Sequence, residues 1–232
     1  MPLSSTVRAA CVLTLVLGFP LASRPASAQP AWQGGVDFVT ALPVGAFATT
    51  VGLAPGGLFW VDRQLGSSPF SLGGEFGGVV YGSENWTSAV VGAPNLSLNM
   101  STSNDLLLWG LRLAAGRRTG RWRPYALASL GGQSLLTTTR ASQPGITGDK
   151  VASTTDLSDS VLAYGGGIGL TRNLNASGRA RLAIAARYSR GGPANYLTKG
   201  AIDRGGDSLH LDVSRTRTDT VLFTIGVEGG SR

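Results

Sequence analysis

The chain has 232 residues, of which 34 are glycine and 11 proline, while Asp, Glu, Lys and Arg together make up only 14%. Glycine at about 15%, roughly twice its average share, combined with about half the usual charge, excludes an ordinary water-soluble α-helical or α/β domain, because glycine destabilises helix interiors and too few charges remain to cover a compact soluble surface. An apolar content of 42% excludes disorder, the glycines lack the triplet period of collagen, and the excess of Lys and Arg gives a formal charge of +7.

The first 28 residues read as an export signal. Arg8 supplies a positive region, residues 9–19 an apolar run and Ala26-Ser27-Ala28 a small-x-small cleavage site. The mature chain is expected to start at Gln29 and to form one domain over residues 29–232. The apolar run is too short to span a bilayer. Cleavage removes Arg8, Arg24 and no acid, which lowers the formal charge from +7 to +5, and it removes Cys11, the one cysteine. Cys11 precedes most of the apolar run, which argues against a lipoprotein anchor. An exported chain without disulfides must close its fold well.

Beyond residue 28 no stretch approaches the roughly 18 consecutive apolar residues of a membrane helix. What recurs is alternation of apolar with small or polar residues. It predicts eight strands, at residues 33–43, 56–66, 69–84, 104–118, 123–140, 159–174, 179–192 and 216–229. Gly66-Ser67-Ser68-Pro69, Thr119-Gly120-Arg121-Trp122 and Asn175-Ala176-Ser177-Gly178 are tight-turn sequences. Residues 44–55, 85–103, 141–158 and 193–215 are long polar connections. Long and short connections therefore alternate strictly. An eight-stranded antiparallel up-and-down transmembrane barrel, with short periplasmic turns and longer extracellular loops, produces that order.

The composition of the two faces decides which side meets lipid. Phe70, Leu72, Phe76 and Val80 oppose Ser71, Glu75 and Tyr81 in the third segment. Ile184 and Tyr188 oppose Arg181 and Arg187 in the seventh, and Phe223, Ile225 and Val227 oppose Thr224, Gly226 and Glu228 in the eighth. A soluble barrel would turn the apolar faces inward and leave charges outside. That arrangement would put the glycines on the water face with few charges to solvate it, so the apolar faces are assigned to lipid. The lumen then holds Asp37, Asp62, Glu75, Arg112, Arg181, Arg187 and Glu228. Eight strands leave room only for side chains, and isolated interior charges are costly, so the expectation is a filled, salt-bridged, polar lumen. Gly73, Gly77, Gly165, Gly167 and Gly169 make space in it for the long arginines.

Three stretches carry a resemblance: Ala41-Leu42-Pro43-Val44-Gly45-Ala46-Phe47 after the first strand, Arg123-Pro124-Tyr125-Ala126 opening the fifth, and residues 162–170, Leu-Ala-Tyr-Gly-Gly-Gly-Ile-Gly-Leu, in the sixth. With the strand layout they make residues 29–232 resemble the small outer-membrane β-barrel proteins of Gram-negative bacteria, the group of OmpA-like and OmpX-like barrels. The resemblance implies fold and an outer-membrane location, not an activity. One departure is that the group's last strand commonly ends in an aromatic residue, whereas here Phe223 is followed by Thr-Ile-Gly-Val-Glu-Gly-Gly-Ser-Arg.

Other features have a chemical and a structural reading. His210, the one histidine, could pair with Ser208 or Ser214 and Asp212 as a lipid A deacylase-like site, but its place in a long connection favours a histidine on a hairpin extension. One histidine and no mature cysteine offer no metal cluster, and no cofactor is expected. Arg117, Arg118, Arg121 and Arg123 surround Trp122 in a short turn. Such a cluster suits an anionic partner or nucleic acid, yet an interfacial anchor of arginines at headgroups and tryptophan in the girdle is favoured. Gly165-Gly166-Gly167 lies inside a strand pattern with no following helix, so it is not a phosphate loop. Residues 85–103 and 193–215 could contact lipopolysaccharide or a surface partner, or could extend the strands above the membrane. The expectation is a monomeric, non-enzymatic structural or surface-interaction component of the envelope, with a narrow channel or ligand-binding barrel and a lipid-modifying enzyme using His210 as alternatives.

Overall fold

The computed structural model describes residues 32–90, 93–142, 150–175, 178–203 and 210–231. The expected export signal, its cleavage site and Ser208 lie outside them. The described residues form ten strands: β1 (Trp32–Pro43), β2 (Ala54–Gln64), β3 (Phe70–Val90), β4 (Ala93–Gly116), β5 (Trp122–Ser142), β6 (Lys150–Asn173), β7 (Ala180–Gly191), β8 (Pro193–Asp203), β9 (His210–Arg217) and β10 (Thr220–Ser231). A short 3₁₀ helix, Gly45–Thr49, lies between β1 and β2. No helix among the described residues is long and apolar enough to cross a membrane.

Eight strands close a barrel in the ring order β1-β10-β7-β6-β5-β4-β3-β2, and β1 pairs with β2 to complete it. Every pairing is antiparallel. The barrel is therefore the expected up-and-down design, with one interruption. β8 and β9 form a separate two-stranded sheet inserted between β7 and β10.

The tight turns fall where the sequence puts them. Gly66, Gly120 and Gly178 have φ of 57°, 109° and 65°, the left-handed region that glycine enters without a Cβ penalty. These glycines mark the turn end of the barrel, and the loop end lies opposite.

The long connections are where expectation and structure part. β3, β4, β5 and β6 run for 21, 24, 21 and 24 residues, whereas β1, β2, β7 and β10 have 12, 11, 12 and 12. Much of 85–103 and part of 141–158 are thus strand, and one side of the barrel stands taller than the other. The extensions are rich in Ser, Thr and Asn, whose polar side chains bridge neighbouring strands: Thr102 to Thr139 at 2.7 Å, Thr137 to Asn104 at 2.7 Å and Thr139 to Asp156 at 2.5 Å.

The connection 193–215 is the β8–β9 hairpin, and the expected eighth strand at 216–229 is divided. Arg217 ends β9, and pairing with β7 and β1 starts again at Thr220. Asp219 makes the corner. Its carboxylate accepts from the Gly191 amide at 3.1 Å and the Tyr188 hydroxyl at 3.0 Å, and its carbonyl accepts from the Val44 amide at 3.0 Å. β8 does not join the wall but packs against β3, β4, β5 and β6 across the loop-end mouth.

Candidate functional site

The lumen is the place where this chain concentrates its buried polar groups, and alternation sets its lining. β1 turns Asp37, Val39 and Ala41 inward, β2 Leu58, Trp60 and Asp62, β4 Leu106, Leu108 and Arg112, β7 Arg181 and Arg187, and β10 Leu222 and Glu228, all buried. The outward positions carry the opposite composition. Phe38, Phe59, Phe76, Leu111, Leu130, Ile168, Ile184 and Ile225, one from each barrel strand, are between 46% and 71% exposed. Apolar residues outside and charged residues inside invert the arrangement of a soluble protein.

All seven residues expected in the lumen are brought together, and six of them form three ion pairs. Arg112 Nε donates to Asp62 Oδ2 at 3.2 Å, Arg187 Nη1 to both oxygens of Glu75 at 2.6 Å, and Arg181 Nε to Glu228. Further partners fix the arginines and acids: Arg181 Nη2 donates to Gln33 Oε1 at 2.8 Å, and Ser71 Oγ to Asp62 Oδ2 at 3.4 Å. The fourth acid, Asp37, has no arginine of its own. Its Oδ2 accepts from the Trp60 indole at 3.1 Å, and the Arg112 guanidinium lies 4.0 Å from the Trp60 ring centroid. Trp60 thus links the surplus carboxylate to the Arg112–Asp62 pair by a hydrogen bond and a cation–π contact. It was legible as an inward residue, being two positions from Asp62, but a tryptophan in a barrel suggests the lipid interface first.

Glycine makes the room the arginines need. A Cβ on Gly73 would meet Asp62, one on Gly167 would meet Arg187, and one on Gly226 would meet the Asp37 carboxylate and the Val36 carbonyl. Gly77, Gly165 and Gly169 are likewise filled against neighbours, Gly169 by the Tyr125 ring.

The lumen is not polar throughout. Toward the loop end it is an apolar core of Val39, Leu58, Val79, Leu106, Leu135 and Leu222, closed by Phe47 from the 3₁₀ helix and Tyr196 from β8. Phe47, Tyr81 and Tyr196 meet edge to face with centroids 5.2 to 6.4 Å apart. The Tyr196 hydroxyl is shared with Thr50 Oγ1 at 2.7 Å and Thr216 Oγ1 at 2.9 Å, and Asp159 Oδ2 accepts from the Asn195 amide at 2.7 Å. The expected filled, salt-bridged lumen therefore needs a qualification: the charges occupy the middle and the turn end, and an apolar core with an aromatic plug fills the rest. The plug comes from two connections whose sequences show no alternation, so strand patterning had no means of finding it.

At the turn end the lumen opens into a cavity of about 80 Å³ lined by residues that include Gln33, Asp62, Arg112, Arg117, Arg118, Arg123, Tyr125, Arg181 and Glu228. A smaller cavity of about 20 Å³ beside Glu75, Arg187, Gln133 and Ser189 has room for about one water. The arginine cluster of the second turn is divided by the structure. Arg117, Arg118 and Arg123 line the cavity; Trp122 is half exposed on the outside, with Arg172 5.2 Å from its ring centroid, and Arg121 is exposed. Trp32 and Arg63 repeat that outward pairing at 5.6 Å. Arg118 is partly buried, which lowers its pKa from the ordinary arginine value, and its Nη2 donates to the Gly66 carbonyl at 3.2 Å.

His210 opens β9, its backbone opposite Asp203. Among the described residues no group of three or more His, Cys, Asp or Glu is placed to hold a metal.

No protein-family model matches the sequence, and no curated protein matches it. Among solved structures, the chain is similar to Neisserial surface protein A at 10% identity, covering 88% of this chain and 99% of that one with a TM-score of 0.43. It is similar to a major outer membrane protein from Thermus thermophilus at 10% identity, covering 86% and 98% with a TM-score of 0.43. It is also similar to the attachment invasion locus protein Ail of Yersinia pestis at 16% identity, covering 85% and 95% with a TM-score of 0.36.

Proposed function

We propose that this chain is an outer-membrane barrel that does not conduct and does no chemistry of its own, serving as a structural or surface-interaction component of the cell envelope. The observation that carries the membrane reading is the belt. On the outward positions of the four short strands β1, β2, β7 and β10, and of the lower parts of the long ones, no charge interrupts the apolar residues between the two ends. Strands of 11 or 12 residues meet the length of about 9–11 that a tilted strand needs to cross a bilayer. The Trp32–Arg63 and Trp122–Arg172 pairs at the turn end fit an interfacial girdle. Closure of every strand edge in the membrane zone is what hydrocarbon requires of β-structure. The turn end is accordingly read as periplasmic and the tall side of the barrel as extracellular.

The sealed state follows from two barriers in series, the ion-paired middle and the aromatic plug. Planar-bilayer recordings of the folded protein are expected to show no unitary conductance; a stable open level would support the narrow-channel reading instead. For the location, a folded band that shifts on boiling after extraction from outer membranes is the expected result, and recovery in the soluble periplasmic fraction would end the membrane reading. Ile225→Arg, in the belt, is expected to lower folding stability in vesicles by about 2–4 kcal/mol. A soluble barrel would tolerate that arginine on its surface. The same preparation tests the absence of chemistry: lipid A acylation is expected to be unchanged on expression of the protein, and a change abolished by His210→Ala would identify a lipid-modifying enzyme.

A further inference from the structure

The turn-end cavity has a charge that closing the barrel does not require. Among the described residues that line it are five arginines and two carboxylates, an excess of three positive charges in that lining. Both carboxylates are engaged: Asp62 by Arg112 and Glu228 by Arg181. The excess comes from Arg117, Arg118 and Arg123, at the end of β4 and the start of β5. Arg118 Nη2 and Arg123 Nε each donate to a turn carbonyl, of Gly66 and Gly120, both at 3.2 Å. These contacts orient the guanidiniums at the cavity mouth. Arginines serving only as headgroup anchors are placed differently in this chain: Arg63 and Arg172 lie over Trp32 and Trp122.

Convergence of positive charge on a concave site with low-dielectric walls concentrates anions, and the planar guanidinium fork matches phosphate oxygens better than any other side chain. A free phosphate near neutral pH balances up to two of the three charges; a phosphodiester headgroup carries one, as a carboxylate does, and is distinguished from it by offering more oxygens to several guanidinium forks at once. We propose that the turn-end cavity is a binding site for a phosphate group, held by Arg117, Arg118 and Arg123. The group is either a free phosphate or the headgroup of a phospholipid in the leaflet beside the turns.

The test uses the full chain folded in maltoside micelles, which contain no phosphate. In one arm inorganic phosphate is titrated calorimetrically. In the other the micelles carry phosphatidylglycerol, and lipid retained through a detergent wash is counted by native mass spectrometry. Saturable binding near one per chain is expected in at least one arm, weakened roughly tenfold or more by Arg118→Gln with Arg123→Gln and unchanged by Arg172→Gln. Binding of phosphate alone identifies a free anion as the ligand, retention of lipid alone identifies the headgroup, and both together show that the site takes the shared group. Heat-modifiable migration establishes that each variant is folded; should the double variant fail to fold, Arg123→Gln alone is expected to weaken binding several-fold. Absence of binding in both arms, or an equal loss in Arg172→Gln, overturns the proposal.

Discussion

The two halves of the lumen are filled by different physics. Toward the turn end, wall residues reach across to one another: Arg112 to Asp62, Arg181 to Glu228, Arg187 to Glu75, with Trp60 holding Asp37. Toward the loop end the filling is Leu, Val and aromatic, and its largest pieces, Phe47 and Tyr196, come from outside the wall. The same eight strands line both halves, so strand number does not explain the difference. It lies in what each half can borrow. The turn end is served by tight connections that supply no filler, so the wall must fill its own interior with long side chains, and only arginine paired with a carboxylate is both long enough and electrically balanced. The loop end has long connections that fold inward and supply apolar bulk, which leaves the wall free to contribute aliphatic residues.

That contrast can be broken at four points. The largest effect is expected where a charge is left alone: Arg187→Ala strands Glu75 in the lumen and should cost about 3–5 kcal/mol, read from urea unfolding in vesicles, whereas replacing both partners by apolar residues of similar volume should cost much less. A single variant as mild as the double one would mean that the pair is solvated. Phe47→Ala should cost about 3 kcal/mol by leaving a cavity in the plug; because the ion pairs still close the middle, the variant should remain non-conducting in planar bilayers, and a conducting Phe47→Ala would show that the plug is the only seal. Gly226→Ala tests the space reserved for Asp37, with an expected loss of about 1–3 kcal/mol from overpacking; alanine tolerated at no cost in thermal unfolding would remove the packing explanation for this glycine. Smallest is Tyr196→Phe, which keeps the ring and deletes the hydroxyl shared by Thr50 and Thr216, for about 0.5–1.5 kcal/mol. A larger loss would make the hydroxyl, and not the ring, the chief tie between β8 and the mouth.

Legibility in the sequence follows the same division. Two of the short strands were readable nearly to the residue, 33–43 against Trp32–Pro43 and 179–192 against Ala180–Gly191, because each has one face on lipid-like apolar positions and one on the lumen; β2 was read two residues late at both ends, 56–66 against Ala54–Gln64, and 216–229 ran together the end of β9 and β10. β5 was read almost whole, 123–140 against Trp122–Ser142, but the extensions of β3, β4 and β6 were not, because residues such as Thr102 and Asp156 are satisfied by Thr139 and no apolar face is left to show a period of two. Arg123 was grouped with its chain neighbours as an anchor, although its phase with Tyr125 and Leu127 turns it toward the lumen and the same alternation puts Trp122 on the outside; a basic cluster dominated the local reading.

Composition and alternation by themselves determined the closed eight-stranded wall, its apolar outside and the seven charges of its interior, because a strand's two faces are fixed by period and a barrel has only one inside. Which arginine takes which acid, the use of Trp60 for the surplus carboxylate, the folding of Phe47 and Tyr196 into the mouth and the convergence of Arg117, Arg118 and Arg123 on one cavity were decided by tertiary structure. These depend on the stagger between strands and on where connections of irregular sequence come to rest. Both are properties of the closed barrel, and no single segment contains them.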